Sequence, residues 1–191
     1  MKKKALLIAE KNSAAKAINS VYQRIKDELR YEITITAAAG HIITLYEPDE
    51  YIDKDWGKPW KKEVLPMIPQ KWETKVIQDK QKYFDNIKRL WESGKYEVVI
   101  NAGDAGREGQ LIQSYIYKKI GINVPVLRFW ASDLTDKTIE RELKNLKDNR
   151  EYTGLEQAAY LRADFDWLVG MNFSRAATIS LDRLTVIGLS L

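Results

Sequence analysis

Short apolar runs alternate with amphipathic helical segments along the chain, and this alternation limits the possible folds more than any other feature. Segments of strand length occur at 4–9, 96–101 and 124–129, which are mainly apolar, and at 32–38, where polar and apolar residues alternate. Residues at helical spacing lie between most of them, and a glycine closes several of these segments. Strands that alternate with helices form mainly parallel sheets with helices on both faces. We therefore predict an α/β fold with a mainly parallel sheet flanked by helices.

Residues 46–72 interrupt the alternation. They hold four of the five prolines and three of the six tryptophans. Because proline breaks helices and sheets while tryptophan favours packing, we predict a long ordered excursion anchored by its aromatic rings. We expect Lys58, Lys61 and Lys62 to form a solvated face.

The chain changes character near residue 150. The segment 155–180 is rich in small and polar residues and predicts one or two helices, and 184–191 is apolar. We expect one domain over 1–150 and the start of a second, helical domain over 151–191 that continues beyond this chain.

Composition excludes several classes of protein. With 45% hydrophobic and 30% charged residues among 191, disorder is not expected, and no run of about 18 apolar residues predicts a membrane span. The absence of cysteine excludes disulfides and thiolate metal sites and fits a cytoplasmic protein. The net charge of +4 is compatible with nucleic-acid binding, although many other enzymes share it.

Three carboxylates follow predicted strands. Glu10 comes directly after the first strand, Asp104 lies just past 96–101, and Glu108 follows at the start of a helix. If those strands are neighbours, the carboxylates converge at one sheet edge, where α/β proteins gather ligands. Oxygen ligands suit Mg²⁺, which stabilises charge in phosphodiester transfer.

The loop around Asp104 adds features that suit phosphate. Gly103, Gly106 and Gly109 permit tight turns and a close approach of a ligand, and the next helix begins within the loop. Arg107 is a bidentate phosphate donor, and Lys11 beside Glu10 is placed to neutralise a phosphate oxygen. Each position alone has an equally good structural interpretation, as a helix cap or a turn.

Several segments together resemble the Toprim domain of type IA DNA topoisomerases, particularly the topoisomerase III branch. They are Glu10-Lys11, Gly40-His41, Asp104-Ala-Gly-Arg-Glu-Gly, Arg128-Phe-Trp-Ala-Ser-Asp-Leu-Thr and Arg162-Ala-Asp-Phe-Asp-Trp-Leu-Val-Gly-Met-Asn-Phe-Ser-Arg-Ala. The resemblance covers essentially the whole chain, and the last segment is the most specific. It implies a Toprim (Rossmann-like) fold over 1–150, with 151–191 as the start of a helical DNA-binding domain.

The resemblance also implies an activity. A type IA enzyme is an ATP-independent isomerase that cuts single-stranded DNA with a tyrosine, passes another strand and reseals the break with the help of Mg²⁺. Glu10 corresponds to the family's glutamate near the scissile phosphate, and Lys11 to its transition-state lysine. Asp104 and Glu108 correspond to the ends of its Asp-x-Asp-x-Glu metal motif. The partners implied are single-stranded DNA and the missing C-terminal domains, with no membrane and no nucleotide cofactor.

Two positions depart from the family pattern. Gly106 stands where the middle aspartate of the metal motif is expected, and Gln110 stands where a further glutamate is usual. We expect a looser metal site, held through Asp104, Glu108 and waters or with a larger share from Glu10. The family's nucleophilic tyrosine lies in a domain downstream of this chain, so we predict that the chain alone neither cuts nor relaxes DNA.

Polar residues of the last segment, together with the single histidine, are candidate contacts to single-stranded DNA. Arg162, Asn172 and Arg175 lie in an otherwise apolar helical region, and the alternative interpretation for the arginines is intrahelical ion pairs. We predict DNA contacts at these three residues and at His41, for which a packed, hydrogen-bonded role is the alternative. Trp167 is predicted to belong to the core.

Two other functions remain open from the sequence. Toprim domains also occur in stand-alone nucleases and primase-like proteins. A non-catalytic DNA-binding module with a decayed metal site is the second alternative, since Gly106 removes a carboxylate from the motif.

Overall fold

A five-stranded sheet lies at the centre of the computed structural model, which describes residues 2–181. The strands are β1 Lys3–Ala9, β2 Tyr31–Ala37, β3 Ile43–Leu45, β4 Thr74–Val76, β5 Val98–Ala102, β6 Val126–Arg128 and β7 Lys147–Asp148. The helices are α1 Asn12–Ile25, α2 Gln81–Gly94, α3 Arg107–Ile120, α4 Asp136–Lys144 and α5 Thr153–Ser180. Short 3₁₀ turns join several of them.

The sheet order is β2-β1-β5-β6-β7, and only β7 runs antiparallel to its neighbour. Ala9 at the end of β1 is level with Ala37 of β2 and with Ala102 of β5. The carboxyl ends of three adjacent strands therefore meet at one edge of the sheet. The predicted α/β fold with a mainly parallel sheet is confirmed.

The main hydrophobic core lies between one face of this sheet and α1 with α4. Ala14, Ile18, Val21 and Ile25 recur at helical spacing on α1 and are buried in this core. At the start of α4 the hydroxyl of Thr135 accepts a hydrogen bond from the backbone N–H of Thr138 and caps the helix. The end of β1 is thus held on a rigid layer.

The chain divides into two compact units. Within the described residues, the first contains 2–43 and 76–159, and the second contains 44–75 and 160–181. The excursion thus groups with 160–181, and 151–159 group with the first unit, while the domain boundary at residue 150 stays a prediction. Sequence periodicity does not reveal this grouping, since the two parts of the second unit are far apart in the chain.

The excursion is ordered by aromatic packing, as predicted. Trp56 and Trp167 are buried, and their ring centroids lie 6.4 Å apart. Trp72 meets Trp167 edge to face at 5.4 Å. Lys58, Lys61 and Lys62 are exposed, in agreement with the expected solvated face.

Two strands escape the sequence patterns. β3 has three residues and pairs with β4 in a separate two-stranded sheet. β7 has two residues, which is too short for a period to be visible. Among residues 2–181, no helix combines the length and the apolar character that crossing a lipid bilayer requires.

Candidate functional site

The parallel register brings two of the predicted carboxylates together. β1 and β5 are neighbours, Glu10 follows β1 directly, and Asp104 lies two residues past β5. The backbone N–H of Asp104 donates to Glu10 Oε2 at 3.1 Å. The two acidic residues therefore occupy one site at the carboxyl edge of the sheet, as their positions in the sequence predict.

Lys11 joins both carboxylates. Its Nζ lies 2.9 Å from Asp104 Oδ2 and 3.2 Å from Glu10 Oε1. The hydrogen bonds to Asp104 and then Glu10 raise the pKa of Lys11 above its ordinary value. Glu10 is buried, whereas more than half of each of the other two side chains is exposed. The site therefore presents an ammonium group and a carboxylate to solvent, above a second, buried carboxylate.

Glu108 does not join this cluster. Its Oε1 lies 2.9 Å from Nε2 of His41, which belongs to the loop that follows β2. Within residues 2–181, no three side chains of the His, Asp and Glu types are arranged to hold one metal ion. Glu108 thus contacts His41 at this edge instead of Glu10 and Asp104, and its role as a third metal ligand stays a prediction.

The residues present fit a two-carboxylate Mg²⁺ site. Glu10 and Asp104 already share one cation, the ammonium group of Lys11. Mg²⁺ is commonly held through one or two carboxylates, with water and phosphate oxygens as its other ligands. Lys11 competes for the same oxygens, so metal and ammonium have to share or exchange them.

Two glycines of the loop are required by close packing. A Cβ on Gly109 would lie 2.2 Å from the carbonyl oxygen of Asp104, and one on Gly103 would lie 2.5 Å from the carbonyl oxygen of Gly109. Gly106 differs, because its backbone is extended and no atom lies within 4 Å of a Cβ placed there. The glycine at the position of the expected aspartate is therefore not explained by lack of space.

Arg128 secures the backbone of this loop, and sequence reasoning assigned it no role in the site. The fully buried guanidinium donates to the carbonyl oxygens of Asn101, Gly103 and Asp104 at 3.1, 2.7 and 2.8 Å. Burial lowers its pKa to about 10, so it remains charged at neutral pH. An arginine at the end of an apolar strand is the one signal that pointed to it, because such a charge needs buried acceptors.

Gln110 belongs to a buried hydrogen-bond network. Its Oε1 accepts from Nδ2 of Asn101 at 3.1 Å, and its Nε2 donates to Oδ1 of Asn149 at 3.0 Å. Asn101 also accepts the backbone N–H of Gly103 through Oδ1 at 3.0 Å. The amide of this glutamine supplies a donor that a carboxylate lacks, so a glutamate could not form the same network.

The remaining predicted residues lie outside the acidic cluster. Arg107 is exposed on the first turn of α3 and has no ion-pair or hydrogen-bond partner among the residues described. Arg162 is exposed and pairs with Asp166 on α5 at 3.3 Å, as helical geometry predicts.

Asn172 and Arg175 contact the excursion. The amide of Asn172 accepts from the backbone N–H of Met67 at 2.6 Å and donates to the Met67 carbonyl at 3.0 Å. The buried Arg175 donates to the carbonyl of Trp56 and lies over the ring of Trp60, 5.0 Å from its centroid. Both side chains thus hold irregular backbone, and their contact with DNA stays a prediction.

Comparison with known proteins agrees with this architecture. The sequence matches the Toprim domain family over residues 5–134. DNA topoisomerase 3 of Staphylococcus aureus strain USA300 is 39% identical over 97% of this chain, and a protein named putative DNA topoisomerase 3 from the bovine strain RF122 is equally similar. In both cases the matched part is 26% of the relative.

A solved structure shares the fold. Full-length topoisomerase I from Thermotoga maritima superimposes with a TM-score of 0.61 and 25% identity, covering 97% of this chain and 27% of that one. The chain therefore spans about a quarter of the length of these relatives. From the family match and the parallel sheet with its acidic edge, we conclude that this chain belongs to the Toprim family.

Proposed function

We propose that this chain is the metal-binding Toprim part of a type IA DNA topoisomerase. Such an enzyme relaxes or decatenates DNA by cutting one strand, passing another and resealing the break. The observation that carries the proposal is the cluster of Glu10, Lys11 and Asp104 at the carboxyl edge of a Toprim sheet. The names of its relatives, each a topoisomerase, agree with it.

The side chains of the cluster have distinct tasks in this proposal. Lys11 donates to a non-bridging oxygen of the scissile phosphate and so offsets the charge that grows during transfer. Glu10, held by the N–H of Asp104, orients that ammonium group from below. Mg²⁺, when bound by Glu10 and Asp104, supplies a second positive charge that favours religation.

Other residues position this machinery or contact the strand. Arg128 fixes the backbone of the loop, so that Asp104 keeps its place relative to Glu10. Arg107, exposed at the N-terminus of α3, is available for a phosphate beside the loop. We assign Glu108 with His41 to a neighbouring contact at the same edge, and Arg162 to the backbone of single-stranded DNA.

Metal titration of the 191-residue chain tests the site. We expect Mg²⁺ or Mn²⁺ binding, measured by calorimetry, to weaken at least tenfold in Asp104→Asn. It should remain unchanged in Asp27→Asn, which removes an exposed carboxylate elsewhere. Gly106→Asp should tighten binding, because a carboxylate returns to a position with open space. Equal binding by the wild type and Asp104→Asn would contradict the proposal.

Lys11→Ala gives an independent check. Removing the ammonium group frees both carboxylates and leaves two negative charges close together, so metal affinity should rise. Loss of metal binding in this variant would show that the lysine does not compete for the site.

The purified chain should not relax negatively supercoiled plasmid, because the proposed nucleophilic tyrosine belongs to another domain of the polypeptide. A plasmid relaxation assay with Mg²⁺ measures this directly. Relaxation that disappears in Lys11→Ala would contradict this part of the proposal and place the nucleophile within the chain.

A further inference from the structure

A groove of about 590 Å³ lies at the open edge of the main sheet. β2 is the terminal strand of that sheet, and the groove follows its last residues, between one face of α1 and the start of α2. Asn12, Lys16 and Asn19 line the α1 side at spacings of one and two helical turns. We call this feature the β2-edge groove.

The β2-edge groove is basic. Lys16 and Lys82 are part of its lining, and no aspartate or glutamate is. Neither lysine forms an ion pair within residues 2–181, although lysines elsewhere, such as Lys75 and Lys144, are paired at 2.6 Å. Two unneutralised ammonium groups facing a shared groove attract a polyanion.

The groove also offers surfaces for bases. Tyr83 is partly exposed, and its ring lies 5.1 Å from Nζ of Lys82 and 5.9 Å from that of Lys80. The amide of Asn86 donates to the hydroxyl of Thr36 at 3.2 Å, and its oxygen accepts from Nη2 of Arg89 at 2.9 Å. An aromatic ring beside ammonium groups and amides is the combination that binds single-stranded nucleic acid without reading its sequence.

The β2-edge groove begins next to the acidic cluster. Asn12 follows Lys11 in the chain, and Ala37, at the end of β2, is level with Ala9, which precedes Glu10. A strand that leaves the cluster along α1 therefore passes into the groove.

We propose that the β2-edge groove binds the phosphate backbone of single-stranded DNA that flanks the strand held at Glu10, Lys11 and Asp104. This inference rests on the proposed function and extends it to a second contact region. A peptide added as a further strand would pair with the free edge of β2, but the lysines on both sides favour a polyanion over a neutral backbone. Lysines also protect exposed strand edges from aggregation, so the test has to distinguish this role from DNA binding.

The test uses the 191-residue chain and a labelled oligothymidylate of about 12 nucleotides, in EDTA so that the metal site does not contribute. Fluorescence anisotropy gives the affinity between roughly 50 and 200 mM salt. The variant is Lys16→Gln with Lys82→Gln. The matched control is Lys137→Gln with Lys147→Gln, which removes two exposed charges from α4 and β7.

We expect the groove variant to bind about 20-fold more weakly at 0.1 M salt, with the slope of log affinity against log salt reduced by about 1.4. The control should change affinity less than threefold. Tyr83→Leu should lose on the order of tenfold with an unchanged slope, because it removes stacking and no charge.

An equal loss in the groove variant and the control would overturn the proposal, and so would an unchanged slope. Unchanged DNA binding together with self-association of the groove variant would assign the lysines to edge protection instead. If the wild type fails to bind the oligonucleotide, the groove proposal fails, while the metal titration still decides the proposed function.

Discussion

Each compact unit contains a buried arginine that holds irregular backbone, but the two arginines use different partners. Arg128 in the first unit donates to four backbone carbonyls, three of them in the segment from Asn101 to Asp104. Arg175 in the second unit donates to one carbonyl and lies 3.1 Å from the sulfur of Met67. Burial lowers the pKa of both guanidinium groups.

The two arginines differ because the acidic loop and the excursion have different additional contacts. The acidic loop has few apolar contacts, so its carbonyls depend on Arg128 for hydrogen bonds. The excursion is also held by rings, since Tyr51 lies 5.3 Å from Trp56 and 6.2 Å from Trp167 between ring centroids. A loop that must present charged groups relies on one polar side chain, whereas a packed excursion spreads its support over many contacts.

Arg128→Ala should have the largest effect. It leaves several buried carbonyls without donors, and we expect a loss of about 4 kcal/mol in the free energy of unfolding. Urea denaturation measures this loss. Arg128→Lys should recover only part of the lost free energy of unfolding. A guanidinium group donates from two separate nitrogens, whereas the single ammonium group of lysine cannot reach all of these carbonyls. A loss below about 1 kcal/mol would show that the loop keeps its shape without the arginine.

Gly109→Ala should come next, at about 3 kcal/mol, because the new methyl group meets the backbone of Asp104. Gly106→Ala is the matched control three residues away, and we expect a change within about 0.5 kcal/mol. The same denaturation experiment compares them. Equal losses of stability in Gly109→Ala and Gly106→Ala would mean that the loop backbone moves to make room for the new methyl group. The loop would then not be a rigid support for Asp104.

The sequence predicted the parts of the site that follow from topology. Once 4–9 and 96–101 are parallel neighbours, Glu10 and Asp104 must meet, because residues just past the carboxyl ends of adjacent strands share an edge. The contact between Glu108 and His41 does not follow from this topology, since the direction of a side chain on the first helical turn depends on the angle at which the helix begins. That angle is not encoded in residue spacing.

Burial of polar residues was the other part that the sequence did not reveal. Arginine and glutamine are mostly exposed in proteins, so residue type alone did not indicate that Arg128 and Gln110 are fully buried. Asn172 and Arg175 meet partners more than 100 residues away. Such pairs depend on the packing of a proline-rich excursion whose path has no periodicity.

Arg175→Ala tests how far the excursion depends on its buried arginine. We expect a loss of about 2 kcal/mol, smaller than for Arg128→Ala, because the aromatic contacts of the excursion remain. Arg162→Ala, on the same helix, removes only an exposed pair with Asp166 and should cost about 0.3 kcal/mol. If Arg175→Ala costs as much as Arg128→Ala, the excursion depends on a single residue in the same way as the acidic loop.

Asn172→Ala should have the smallest effect of the four, at about 1.5 kcal/mol, because it leaves the buried N–H and carbonyl of Met67 without their amide partner. Phe173→Ala, at an exposed neighbouring position, should leave the free energy of unfolding nearly unchanged.

Oligonucleotide affinity, corrected for the folded fraction, then separates two roles for Asn172. If the corrected affinity is unchanged, the residue acts only on the excursion. A loss of affinity that persists after this correction would assign it a DNA contact as well.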